Sequence, residues 1–102
     1  MSLTIENNNT TITMTIGETK KIELKGNPTT GYSWIALESD KVENVIEFVK
    51  NDAPEGMVGV GGMFHVTLTA KEAGEGKIVL VYRRPWAPNE NDVKFTLNIQ
   101  IQ

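Results

Sequence analysis

The chain has no cysteine, which excludes a disulfide framework, a thiol nucleophile and thiolate metal ligands. That absence removes the usual argument for an oxidising compartment without establishing a reducing one. Histidine occurs once, at His65, and lies among scattered carboxylates with no metal-ligand spacing. A lone imidazole on the polar parity of a strand pattern is a surface histidine rather than a general base. Ser33 lacks a Gly-x-Ser-x-Gly context. These absences leave no enzyme, no metal and no cofactor to be expected. Excess positive charge is missing too: 10 Lys plus Arg against 13 Asp plus Glu give a net charge of −3, the wrong sign for nonspecific phosphate binding, so no nucleic-acid partner is expected. No apolar run approaches the roughly 18 residues that span a bilayer, and no membrane association is expected. The segment Met1 to Glu6 has neither a basic nor an apolar signal region, so the expected location is cytoplasmic, with a lysosomal or secreted one if the chain is a processed form.

What is present is period-2 patterning. A length of 102 residues with 39% hydrophobic content suits a single domain, residues 1–102, with one core. Ile12, Met14 and Ile16 alternate with threonines, and Ile22 and Leu24 alternate with charged residues, with Gly17-Glu18 between. This reads as two half-buried strands around a tight turn. Tyr32 to Leu37 is apolar on both parities, the pattern of a central strand covered on both faces, and places Trp34 in the core. Val45 to Val49 reads as a short strand. Phe64 to Ala70 and Ile78 to Tyr82, broken by Ala73-Gly74-Glu75-Gly76, read as a hairpin-like pair, and Val93 to Gln102 is the cleanest alternation of all. Asn7-Asn8-Asn9 reads as a frayed or looped polar stretch. No 3.6-residue apolar period competes. About seven short strands predict an all-β, immunoglobulin-like β-sandwich.

Three segments interrupt the strands at near-even intervals. Asn27-Pro28-Thr29-Thr30-Gly31-Tyr32 combines a fixed proline φ with a glycine free to take positive φ, so its tip is largely preset. Each dipeptide in it is also ordinary turn chemistry. Pro54 to Gly62 is glycine-rich yet carries Met57, Val58 and Val60, which have no evident core to enter. A phosphate-cradling loop would need a Lys-Ser or Lys-Thr and a following helix, and neither is there. The bland alternative is a crossover between sheets. Arg84-Pro85-Trp86, with Pro88 beyond, cannot continue the preceding strand and so presents Trp86 to solvent; the alternative is a tryptophan capping one end of the core. Tryptophan and arginine are the residue types most enriched at binding hot spots.

Taken in order, Asn27 to Tyr32, Gly59-Val60-Gly61-Gly62 and Arg84-Pro85-Trp86 resemble the three motifs of the chagasin family of protein inhibitors of papain-like cysteine peptidases, most closely its amoebiasin-type members. The resemblance runs from the first alternating strand to the last. It implies a reversible, non-covalent, competitive inhibitor, a monomer whose partner is a papain-like peptidase. It further implies that Asn27, Pro28, Thr29, Thr30 and Gly31 enter the cleft, that Met57, Val58, Gly59, Val60, Gly61 and Gly62 lie along the groove, and that Arg84, Pro85 and Trp86 pack against its far wall. Alignment to the motif favours Arg84 over Arg83. A different class, an immunoglobulin-like adhesion or carbohydrate-binding module using Trp86 as a stacking platform, is the alternative.

Overall fold

Alternating apolar residues can be buried on one face only if two such faces meet, and they do so here in two stacked sheets. The computed structural model describes residues 3–26, 31–50, 62–84, 86–87 and 92–102. Its strands are β1 (Thr10–Met14), β2 (Thr19–Gly26), β3 (Ser33–Asp40), β4 (Val42–Lys50), β5 (Gly62–Ala70), β6 (Gly74–Arg83) and β7 (Val93–Ile101). One sheet has the order β1-β7-β6-β3 and the other β2-β5-β4. This is the immunoglobulin-like sandwich expected from the strand count. All neighbouring pairs are antiparallel except β1 with β7. Among the described residues the only helical element is the single 3-10 turn Ile5–Asn7, and no helix is long and apolar enough to cross a membrane.

The core follows the period-2 pattern. Every second residue of β5 is buried, from Gly62 to Ala70. Ile22, Leu24, Val66 and Leu68 from the smaller sheet meet Ile78, Leu80, Phe95 and Leu97 from the larger one, all essentially free of solvent. Each such side chain contributes about 1.5–3 kcal/mol relative to leaving it exposed. Trp34 is buried in this cluster, and its Nε1–H donates to the Lys25 carbonyl at 3.0 Å. That bond ties β3 of one sheet to β2 of the other.

The pairing departs from the sequence reading in three places. β1 and β2 flank a tight turn but do not pair: Gly17, at φ 87, turns the chain from one sheet into the other. Likewise β5 and β6 are consecutive yet belong to opposite sheets, so they form no hairpin. β3 is an edge strand rather than a central one. Its register shifts between Ala36 and Glu38, and Leu37 is left 48% exposed. The inner parity is apolar because Trp34 packs against the Tyr82 ring, whereas Leu37 on the other parity is largely left to solvent.

The asparagine run is looped but tied down. Asn8 Oδ1 accepts from the Thr96 N–H at 2.7 Å, and the Asn9 N–H donates to the Thr96 carbonyl at 2.7 Å. These bonds continue the edge beyond the short β1. The outer edge of β2 is covered in turn by Leu3, whose N–H donates to Lys21 and whose carbonyl accepts from Glu23. Such covering protects edges from pairing with other chains.

Candidate functional site

Strand register decides where the three interrupting segments emerge. Gly62, the first residue of β5, pairs with Gly26 at the end of β2 and with Lys50 at the end of β4. In the other sheet, Ser33 at the start of β3 faces Arg83 at the end of β6, and Tyr82 faces Val93 at the start of β7. The connection from Gly26 to Ser33 passes from one sheet to the other, so all three connections leave the same end of the sandwich. Asn27, Pro28, Thr29, Thr30, Met57, Val58, Gly59, Val60, Gly61 and Pro85 lie outside the described residues. Gly31, Gly62, Arg84 and Trp86 are described. Gly62 is buried inside the sheet rather than projecting from it.

Gly31 has φ 87, in the left-handed region that glycine adopts without a steric penalty. A β-carbon added there would lie 3.2 Å from Trp86 Cη2 and 3.7 Å from Arg84 Cγ. The first and third loops therefore touch. The Ala87 N–H donates to the Arg84 carbonyl at 3.0 Å, closing a turn from Arg84 to Ala87. That turn holds Trp86 outward at 73% exposure, which settles the choice between an exposed tryptophan and a core cap. Arg84 is exposed, with its guanidinium carbon 5.1 Å from the centre of the Tyr32 ring. Among the described residues no carboxylate pairs with it. Arg83, by contrast, is half-buried at the end of β6, and its Nε is buried without a partner among the described residues.

Beneath these residues runs a row of aromatic rings. Tyr32 and Tyr82 have centroids 5.3 Å apart, and Tyr82 and Trp34 are 5.2 Å apart. The row joins the core tryptophan to the solvent-exposed arginine. Sequence reasoning placed Trp34 and Arg84 separately but missed Tyr82 as their link, because Tyr82 meets Trp34 only through the β3–β6 register; its place at the end of an apolar run was the one signal in the sequence.

Among the described residues the arrangement offers contact area and hydrogen-bond donors but no assembled catalytic groups. His65 sits half-buried on the outer face of β5, three residues along the strand from Gly62, with its Nε2 3.9 Å from Glu23 Oε1. Among the described residues no three His, Asp or Glu side chains are grouped to hold a metal ion.

The family model for the Chagasin family peptidase inhibitor I42 matches residues 13–100. The chain is 55% identical over 102 residues to Amoebiasin-1 of Entamoeba histolytica, with full coverage of both chains. To Chagasin of Trypanosoma cruzi it is 33% identical, over 96% of this chain and 94% of the other. The fold superimposes on the solution structure of Amebosin with a TM-score of 0.88 at 56% identity, covering 100% of this chain and 97% of that one. An immunoglobulin-like sandwich with three connections leaving one end, matched by the family model over residues 13–100, establishes that the chain belongs to the chagasin family and is a peptidase inhibitor, not an enzyme.

Proposed function

We propose that this protein inhibits papain-like cysteine peptidases reversibly, by seating the loop end of the sandwich in the active-site cleft. The observation that carries the reading is the convergence of all three loop connections on one end, with exposed Trp86 and Arg84 packed beside Gly31. Thr29 and Thr30 take the centre of the cleft, Met57, Val58 and Val60 follow the substrate groove, and Arg84, Pro85 and Trp86 meet the far wall. The chain acts as a monomer in a one-to-one complex. Operation in the cytoplasm is part of the proposal, with a lysosomal or secreted setting as the alternative for a processed form.

Pro28, whose ring fixes φ, suits this task because it lessens the conformational freedom lost on docking. A standard inhibitor interface buries about 800 Å² per partner, and nanomolar affinity corresponds to roughly 12 kcal/mol. Titration of papain and of a cathepsin-L-like enzyme tests the reading. The expected result is tight one-to-one inhibition with no effect on serine or metallopeptidases. Full activity of both enzymes at micromolar inhibitor would overturn it.

A further inference from the structure

We infer that Tyr32 is a positioning residue that presets Arg84 for the peptidase and locks the first and third loops into one binding unit. The inference rests on the reading that Arg84 meets the peptidase, and it concerns a residue that need not touch the peptidase itself.

Arg84 is exposed, and an exposed arginine ordinarily samples many rotamers that must be surrendered on binding. Here its guanidinium lies 5.1 Å from the centre of the Tyr32 ring, within cation–π range. Tyr32 is fixed in its turn. It is half-buried, stacked 5.3 Å from Tyr82, which is itself 5.2 Å from the core residue Trp34. The arginine thus stands at the end of a row of rings founded in the hydrophobic core. A guanidinium whose face is covered by a ring keeps its N–H edge available, and that edge suits a carboxylate or a main-chain carbonyl on the cleft wall. Among the described residues no carboxylate pairs with Arg84.

The same contact crosses between loops. Tyr32 follows Gly31 in the first loop, whereas Arg84 opens the third, and the edge of the Trp86 indole lies against Gly31. Two neighbouring contacts, glycine with tryptophan and tyrosine with arginine, hold the loops in a single arrangement before any peptidase arrives. The chemistry needed at position 32 is a ring face. The phenol hydroxyl is not part of it.

Two measurements test the inference. In the free protein, the δ-methylene protons of Arg84 should resonate upfield through the ring current of Tyr32. That displacement should vanish in Tyr32→Leu and persist in Tyr32→Phe. In papain inhibition, Tyr32→Leu should weaken binding about 5- to 20-fold, mainly through faster dissociation, while Tyr32→Phe stays within about twofold. On an Arg84→Ala background, Tyr32→Leu should add less than about threefold, because its target is gone. An unchanged Arg84 resonance in Tyr32→Leu, or an equal loss with and without Arg84, overturns the inference. Should the unaltered protein fail to inhibit papain, the functional proposal falls while the measurement on the free protein still judges Tyr32.

Discussion

Trp86 shows how a single side chain is committed to recognition rather than to stability. It is 73% exposed, although its neighbour Arg84 stands at the end of a row of packed rings. Truncating it removes little that the folded state has buried. Trp86→Ala is expected to weaken inhibition of a papain-like peptidase by about 2–4 kcal/mol, chiefly through faster dissociation, and to leave the thermal midpoint nearly unchanged. Dissociation kinetics and a melting curve on the same variant check both halves, and strong destabilisation would contradict the geometry. The exposure of Trp86 was legible in the sequence, because flanking prolines stop the strand that precedes it. The contact of Arg84 with Tyr32 was not, because those residues lie 52 positions apart and meet only through the β3–β6 register.

At the scale of elements, alternation reveals strands but not their partners. β5 and β7 were legible because each keeps one face buried along almost its entire length. Assignment to sheets was not, since a glycine turn looks the same whether it closes a hairpin or passes the chain to the opposite layer. The turn after β1 does the latter, and its bonds show why: the Gly17 N–H donates to Ala70 of β5, while the Ile16 N–H donates to Gln102 beyond β7. Glu18 secures the same turn. Its carboxylate accepts from the Thr15 N–H at 2.9 Å and lies 3.3 Å from Lys20 Nζ. The backbone hydrogen bond, and after it the lysine, hold its pKa below the usual 4.5. A folded-state value below the unfolded one stabilises above the unfolded pKa and is lost as pH falls through the folded one. Thermal midpoints of the unaltered protein and Glu18→Gln should therefore differ most near neutrality and converge below about pH 4.5, whereas a constant gap would exclude the linkage. β6 carries a separate constraint. A β-carbon on buried Gly76 would sit 2.6 Å from the Asp40 carbonyl oxygen, a backbone atom of the neighbouring edge strand. Gly76→Ala should destabilise by about 1–3 kcal/mol and lower Tm by several degrees without altering inhibition below the transition, measured by melting and by papain titration.

For the whole molecule, the two sheets place stability and recognition in different regions: the buried faces hold the fold while one end carries the loops. Such a body can dock without rearranging its core, and it brings no group able to form a covalent bond with a peptidase thiolate under its own chemistry. The only remaining route to a covalent intermediate is attack on a loop peptide bond. That requires an extended segment with its carbonyl presented to the thiolate and the oxyanion donors. Gly31, at φ 87 and against Trp86, turns the chain away immediately after Thr30, and Pro28 restricts it on the other side. A tip restricted at both ends in this way is expected to block the nucleophile while withholding near-attack geometry. The inhibitor is therefore expected to survive prolonged incubation with active papain at its original mass. It should also bind, one to one, an enzyme whose catalytic cysteine is replaced by alanine or serine. Intact-mass spectrometry of the complex decides the matter. A stoichiometric cut between Asn27 and Tyr32, or an adduct carrying the enzyme thiol, would overturn the non-covalent mechanism even with inhibition confirmed, because the loop would then have reached an attack geometry in spite of the turn at Gly31.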